Sequence, residues 1–254
     1  MFHKICPITK VCNIGENIYT LSFISPEIAG ATQPGQFVNV RINNSYSPLL
    51  RRPFSVYFIE GDEIKILFNN IGRGTKILSE KKDSDKIDVI GPLGKPFTID
   101  SDCSYAILVA GGMGVASLPL LTKSLAARGI LIETFVGART SKQLITENLI
   151  NVHIATDDGS KGFHGTVVDL LQVHLSQNHK IGSTIYACGP MPMLKKVSEL
   201  AEEFEIPCEV SIETMMACGI GICQGCVVER MNSENKYSLV CKDGPVFNSK
   251  TIRI

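Results

Sequence analysis

The sequence carries no excess of charge of either sign. Its 25 Lys and Arg balance 25 Asp and Glu, so the basic stripe of a nucleic-acid surface is missing and nucleic acid is not an expected partner. No run approaches the roughly 18 apolar residues of a spanning helix, so no membrane association is expected. The opening MFHKICPITKVCNIGENIYTLSF has no basic stretch followed by a long apolar one. No secretory leader is expected, and the cytoplasm is the expected compartment. An odd count of nine cysteines in such a chain argues against a disulfide scaffold. Histidine is scarce, with five dispersed residues. No Ser/His/Asp or paired-carboxylate arrangement stands out, so no acid–base catalytic residue is assigned. Internal repeats and low-complexity segments are absent too.

What is present suffices for a folded core: 254 residues, 44% hydrophobic and 20% charged. At about 150 residues per domain this is one large or two modest domains. Residues 1–100 read as all-β. Apolar and polar residues alternate in IYTLSFIS, QFVNVRI, PFSVYFI and EIKILFN, punctuated by Gly, Pro and Asn, as in a small antiparallel barrel or sandwich. GPLGKPF (Gly91 to Phe97) closes this part as a turn-rich stretch. From about 102 the pattern changes: YAILVA (Tyr105 to Ala110) is continuous and apolar, as a buried parallel strand should be, and strands then alternate with helices. The strands are YAILVA, LIETFV, NVHIAT, STIYAC and CEVSI. Helices are expected over Ser117 to Arg128, Ser141 to Asn148, TVVDLLQVHL and MLKKVSELAEEF. That succession predicts a doubly wound α/β parallel sheet over 101–212. Residues 213–254 fit neither pattern and read as a small irregular domain, with a short strand pair around CVVER and YSLVC.

The tail concentrates four cysteines, Cys218, Cys223, Cys226 and Cys241, in the order C-x4-C-x2-C followed by a lone Cys. Thiolates that hold an iron–sulfur cluster must converge from several directions, which a Gly-rich loop allows. Gly219, Gly221 and Gly225 let the backbone curl and turn its N–H groups toward sulfur. The order matches the plant-type [2Fe–2S] spacing. A zinc site on the same four thiolates is the alternative, although zinc ribbons favour paired C-x2-C knuckles.

Other stretches suit anionic cofactors. In Arg51-Arg52-Pro53-Phe54-Ser55, a guanidinium beside a hydroxyl suits a flavin nucleotide's pyrophosphate and ring. An ordinary surface basic pair is the alternative. Ile71-Gly72-Arg73-Gly74-Thr75-Lys76 opens a helix with N–H groups available to phosphate, or is a plain turn and cap. Gly111-Gly112-Met113-Gly114 follows YAILVA and opens a helix, the setting of a dinucleotide turn. Ser117 replaces the third glycine of that fingerprint. Cys188-Gly189-Pro190 ends the fourth strand at the same edge, where open α/β sheets bind ligands. For Cys188, a small buried strand-end residue is the alternative.

The order RRPFS, GRGT, GPLGKPF, GGMG, CGPMPML and CGIGICQGC…C resembles the ferredoxin–NADP reductase superfamily, and within it the family of class B dihydroorotate dehydrogenase electron-transfer subunits. The resemblance covers essentially the whole chain. It implies an FAD-binding barrel, an NAD-binding sheet and a [2Fe–2S] tail. FAD would meet Arg52, Pro53, Phe54, Ser55, the strand Leu67-Phe68-Asn69, and Gly74-Thr75. NAD(H), the substrate, would meet Gly111, Gly112, Gly114, Cys188, Gly189 and Pro190. The cluster would take Cys218, Cys223, Cys226 and Cys241. Asn69 stands where the family often carries a basic or aromatic residue.

The implied task is NAD-linked electron transfer in pyrimidine (UMP) synthesis. Electrons from dihydroorotate, oxidised on a separate FMN-containing catalytic subunit, would pass through the cluster and FAD to NAD in a heterotetramer of two subunits of each kind. The nearest rival is the small subunit of an NADH-dependent ferredoxin:NADP oxidoreductase or sulfide dehydrogenase. In that group the first cluster ligand tends to be aspartate, where this chain has Cys218. A stand-alone flavin reductase and a non-catalytic regulator with a four-cysteine zinc site are the others.

Overall fold

The structure, a computed structural model, describes residues 1–177, 181–231 and 234–254. Six antiparallel strands close the amino-terminal barrel: β1 (Phe2–Gly15), β2 (Ile18–Ile24), β3 (Phe37–Arg41), β4 (Arg52–Glu60), β5 (Glu63–Asn69) and β6 (Lys86–Leu93). Their order around the barrel is β1-β2-β5-β4-β3-β6. Two short helices, α1 (Pro26–Ala31) and α2 (Arg73–Ser79), cover its ends. Alternating residues such as Leu21, Phe23, Val38, Val40, Ile64 and Ile66 fill the interior. β1 and β6 carry little of that signal. β1 buries only Cys6 and Ile8, and β6 runs into the stretch read from sequence as turn-rich.

The barrel has a seam. β4 pairs with β3 from Arg52 to Ser55, and with β5 only from Val56 onward. At its far end β5 pairs with β2 through Leu67, Phe68 and Asn69. The backbone edges of Arg52–Ser55 and Leu67–Asn69 therefore diverge, leaving polar main-chain groups open to a ligand. Pro53 fits there because an edge position demands no N–H.

The second layer is the sheet of β7 (Tyr105–Gly111), β8 (Leu131–Ala138), β9 (Val152–Thr156), β10 (Phe163–His164), β11 (Ser183–Cys188) and β12 (Cys208–Ser211). Helices α3 (Leu118–Ala127), α4 (Val167–Gln177) and α5 (Met191–Glu203) flank it. Every residue of β7 is buried, as expected of a central parallel strand covered on both faces. The order β10-β9-β8-β7-β11-β12 reverses between β7 and β11, which puts a topological switch point, the usual ligand crevice, at their carboxyl ends.

The segment expected to be helical over Ser141 to Asn148 is a correction. Only Ser141–Gln143 forms a 3-10 turn. Ile145 alone of that stretch is buried in the core, and Asn148 adopts φ 59°, so no apolar stripe sustains a helix.

The tail forms a hairpin of β13 (Val227–Glu229) and β14 (Tyr237–Leu239), then helix α6 (Val240–Asp243) and strand β15 (Val246–Asn248). β15 adds antiparallel to β12 at the edge of the large sheet. Segment 213–254 thus closes onto the central layer. Gly94 (φ 77°) accepts the tail closely, since a Cβ there would lie 2.5 Å from Pro245 Cδ. No helix among the described residues is long and apolar enough to cross a membrane.

Candidate functional site

The switch point faces the barrel seam. A groove of about 750 Å³ runs between them, walled by Asn17, Asn69 and Ile71 from the barrel and by Gly111, Gly112, Arg139 and Pro190 from the sheet. A smaller cavity of about 180 Å³ joins Pro53 and Ser55 to Ser211, Glu213, Thr214 and Met216. A third hollow lies over Gly112, Gly114, Gly189 and Pro190, with Glu213 on its wall. Segments far apart in sequence thus meet across one crevice.

The two arginines of RRPFS divide. Arg51 turns back into the barrel, where its Nη2 donates to Asp88 Oδ1 at 2.8 Å and its Nη1 to Asp88 O at 3.0 Å. Arg52 donates to the carbonyls of Leu50 and Arg51 and pairs with no carboxylate among the described residues. A Cβ on buried Gly74 would lie 3.8 Å from Arg52 Cγ and Nε, so GRGT and RRPFS are neighbours. The Thr75 hydroxyl is occupied by the α2 cap, accepting from Ile71 N and Gly72 N. Leu67 and Phe68 are buried, with Phe68 stacked on Tyr19 and tilted against Phe54. With their side chains so engaged, Leu67, Phe68 and Thr75 offer a ligand backbone rather than side chains.

At the switch point, Gly114 is demanded by space. An added Cβ would stand 2.2 Å from Cys188 O. Cys188 itself is 1% exposed. Burial pushes its thiol up to about 12, and it lies behind the crevice wall that Gly189 and Pro190 form. Glu133, in β8, lies 3.1 Å from His153 Nε2 and 3.2 Å from His174 Nε2, within the sheet layer and away from the crevice.

Glu213 and Thr214 were not singled out by sequence. Glu213 is exposed at the mouth of the cavities, yet the protein around it displaces enough water that desolvation raises its carboxyl above the ordinary range. The Thr214 hydroxyl is buried without a partner. The only sequence signal was their place just past β12, at the ligand edge of the sheet.

The cysteines form two pairs. The β13–β14 register, Val227 opposite Leu239, sets Cys226 beside Val240, whose N–H donates to Cys226 O at 2.8 Å. Cys226 and Cys241 are therefore adjacent and buried, 3% and 2% exposed. The outer pair is Cys218 and Cys223, whose N–H points at Cys218 Sγ at 3.4 Å. Ile220 N also donates to Cys218 Sγ, Gly221 N to Cys241 Sγ and Cys241 N to Cys226 Sγ. Desolvation opposes ionisation of Cys218, but the N–H groups of Cys223 and Ile220 outweigh it and bring the thiol down to about 6. Burial and the Cys226 neighbour push Cys241 up to about 12. None of the nine cysteines is in a disulfide.

No group of three His, Cys, Asp or Glu among the described residues is drawn together around a single-ion position. Two thiol pairs, each near backbone N–H donors, fit a binuclear cluster in which each iron takes two cysteines better than one tetrahedral zinc. For a flavin, the open ladder edges at the seam, the unpartnered Thr214 hydroxyl and Arg52 fit an anionic, hydrogen-bonding ligand.

The iron-sulfur cluster binding domain of dihydroorotate dehydrogenase B, as a family, matches residues 213–253. Across nearly the whole chain, the sequence is 37% identical over 250 residues to the dihydroorotate dehydrogenase B (NAD(+)) electron transfer subunit of Desulforamulus reducens, covering 95% of each. It is 38% identical over 245 residues to that of Bacillus caldolyticus, covering 93% of each. Among solved structures, a chain from the NADH-dependent reduced ferredoxin-NADP oxidoreductase superimposes with TM-score 0.86 at 29% identity, covering 98% of this chain and 90% of that one. Phthalate dioxygenase reductase shares the fold, with TM-score 0.68 at 16% identity and 94% of each chain covered.

Proposed function

The chain belongs to the family of dihydroorotate dehydrogenase B (NAD(+)) electron transfer subunits, and from that premise we propose that it carries electrons between a catalytic dihydroorotate dehydrogenase subunit and NAD. It uses FAD and a [2Fe–2S] cluster, and it serves pyrimidine synthesis in the cytoplasm. The observation that carries the reading is the pairing of Cys218 with Cys223 and of Cys226 with Cys241, each pair held beside backbone N–H donors. FAD supplies the exchange between a two-electron nicotinamide couple and a one-electron cluster.

The chain's own residues position, insulate and tune. Arg52 would meet the pyrophosphate, and the main-chain edges at Pro53–Ser55 and Leu67–Asn69 would hold the flavin, with Gly74 packed against Arg52. Gly111, Gly112, Gly189 and Pro190 would form the floor for the nicotinamide, with Gly114 and Cys188 packed together behind it. Cys223 and Ile222 stand exposed at the rim, the side on which an FMN-containing partner docks in a complex of two subunits of each kind. No side chain of this subunit is assigned to dihydroorotate chemistry. The higher identity to the dihydroorotate dehydrogenase subunits, together with Cys218 as the first ligand, ranks this reading above the ferredoxin-NADP oxidoreductase subunit.

The test is anaerobic purification of the chain with flavin, iron and sulfide assays, followed by mixing with the catalytic subunit. About two irons and two sulfides per chain, one FAD, and dihydroorotate-dependent NAD reduction only in the mixture are expected. A colourless, zinc-loaded protein would overturn the assignment.

A further inference from the structure

Asn39 occupies the middle of β3, opposite Pro53 of β4 and Ile90 of β6, and is 1% exposed. A strand position so deep ordinarily takes an aliphatic residue. Its Nδ2 instead donates to the carbonyl of Cys218 at 3.0 Å, across the boundary between the flavin barrel and the cysteine loop. Exchanging the two ends of the amide would set oxygen against oxygen, so this bond fixes its orientation. The other end, Oδ1, is buried without a partner, a cost that a valine at the same place would not bear.

The fit around the amide is close. Gly219, at φ 69°, has no room for a side chain, because a Cβ would lie 2.4 Å from Asn39 Nδ2. The backbone of Asn39 is held in turn, its carbonyl accepting from Arg51 Nη1 at 3.3 Å, and Arg51 is clamped to Asp88. A continuous chain of hydrogen bonds therefore runs from β6 through Arg51 and Asn39 to the peptide following the first cysteine. That peptide leads directly into the two N–H groups, of Ile220 and Cys223, that point at Cys218 Sγ.

We propose that Asn39 is a positioning residue that latches the Cys218–Gly219 peptide to the flavin barrel and thereby sets the N–H···S bonds on Cys218 and the reduction potential of the cluster. The inference rests on the [2Fe–2S] reading above. N–H bonds to a cluster sulfur withdraw electron density and make the cluster easier to reduce. Releasing the peptide lets those donors drift, and the potential falls.

The test compares the full-length chain, purified anaerobically, with its Asn39→Ala and Asn39→Asp variants. The readouts are the electron paramagnetic resonance spectrum of the reduced cluster and redox titrations of cluster and FAD. In Asn39→Ala, the g-values shift and the cluster becomes about tenfold harder to reduce, which for one electron is ~59 mV. The FAD midpoint stays in place. Asn39→Asp keeps the shape and adds a titration: its neutral acid donates to Cys218 O and restores the latch at low pH, whereas its carboxylate repels that carbonyl at high pH. The cluster potential of this variant therefore falls more steeply with pH than that of the wild type.

Spectra and potentials equal to wild type in both variants at every pH would overturn the latch. If Asn39→Ala loses its cluster and flavin together, the pH profile of Asn39→Asp decides. A wild-type chain without iron and sulfide would instead remove the cluster reading on which the latch is built.

Discussion

The cysteine loop and the cofactor crevice are built in opposite ways. The loop is local. Three of its four cysteines fall within nine consecutive residues, and a short hairpin returns the fourth to Cys226. The crevice is assembled from the β1–β2 turn, β4, β5, the carboxyl ends of β7 and β8, the turn after β11 and the end of β12, segments scattered from Asn17 to Met216. A local site announces itself by spacing. A scattered one depends on the register and strand order that bring its parts together.

The comparison breaks most sharply at the inner cysteine pair. Cys226→Ser should drop iron and sulfide from about two each to near zero while the flavin spectrum and NADH oxidation by an artificial acceptor survive. Loss of flavin along with iron would mean that loop and crevice are not separable.

Next comes the division between the arginines. Arg52→Ala removes a charged hydrogen-bonding group worth about 1.5–3 kcal/mol, so FAD affinity should fall about ten- to a hundredfold, measured by titrating FAD into the apoprotein. Arg51→Met should spare FAD affinity and lower unfolding free energy by about 1–2 kcal/mol, because the Asp88 pair is only partly desolvated. Equal FAD loss in both variants would refute the division.

Gly114→Ala tests whether the crevice depends on close approach. Its Cβ would collide with the Cys188 carbonyl, so a loss of about 1–3 kcal/mol and a raised KM for NADH are expected. An unchanged melting temperature would show that the two loops can part freely.

The smallest effect concerns Glu213. Desolvation raises its carboxyl, so the folded state holds the proton more tightly than the unfolded chain. Stability from this group is present at low pH and is lost as pH climbs from the ordinary carboxylate value through the raised one. Glu213→Gln should flatten the dependence of melting temperature on pH and raise it slightly at neutral pH. An unaltered profile would show that Glu213 is solvated.

The central parallel strand was plain in the sequence because YAILVA is a continuous apolar run, whereas β1, with only Cys6 and Ile8 buried, carries no comparable pattern. The helix expected around Ser141 to Asn148 failed because the alternation of strand and helix carries over to a stretch where only Ile145 has a core to enter. RRPFS was visible as a basic pair beside a hydroxyl, but nothing in that string told that Arg51 would turn inward to Asp88. Asn39 gave no signal, since an Asn within an alternating strand looks like any outward polar residue until its partner, 179 positions away, is known.

The sequence by itself determined the layer types, the order of the motifs and the four cysteines, because hydrophobic period and ligand spacing are properties of neighbouring residues. Tertiary structure alone decided which arginine turns inward to Asp88, that Cys188 lies behind the crevice wall, that the tail adds β15 to the sheet, and that Asn39 reaches Cys218. Those outcomes depend on hydrogen-bond partners and free space supplied by strands distant in the chain.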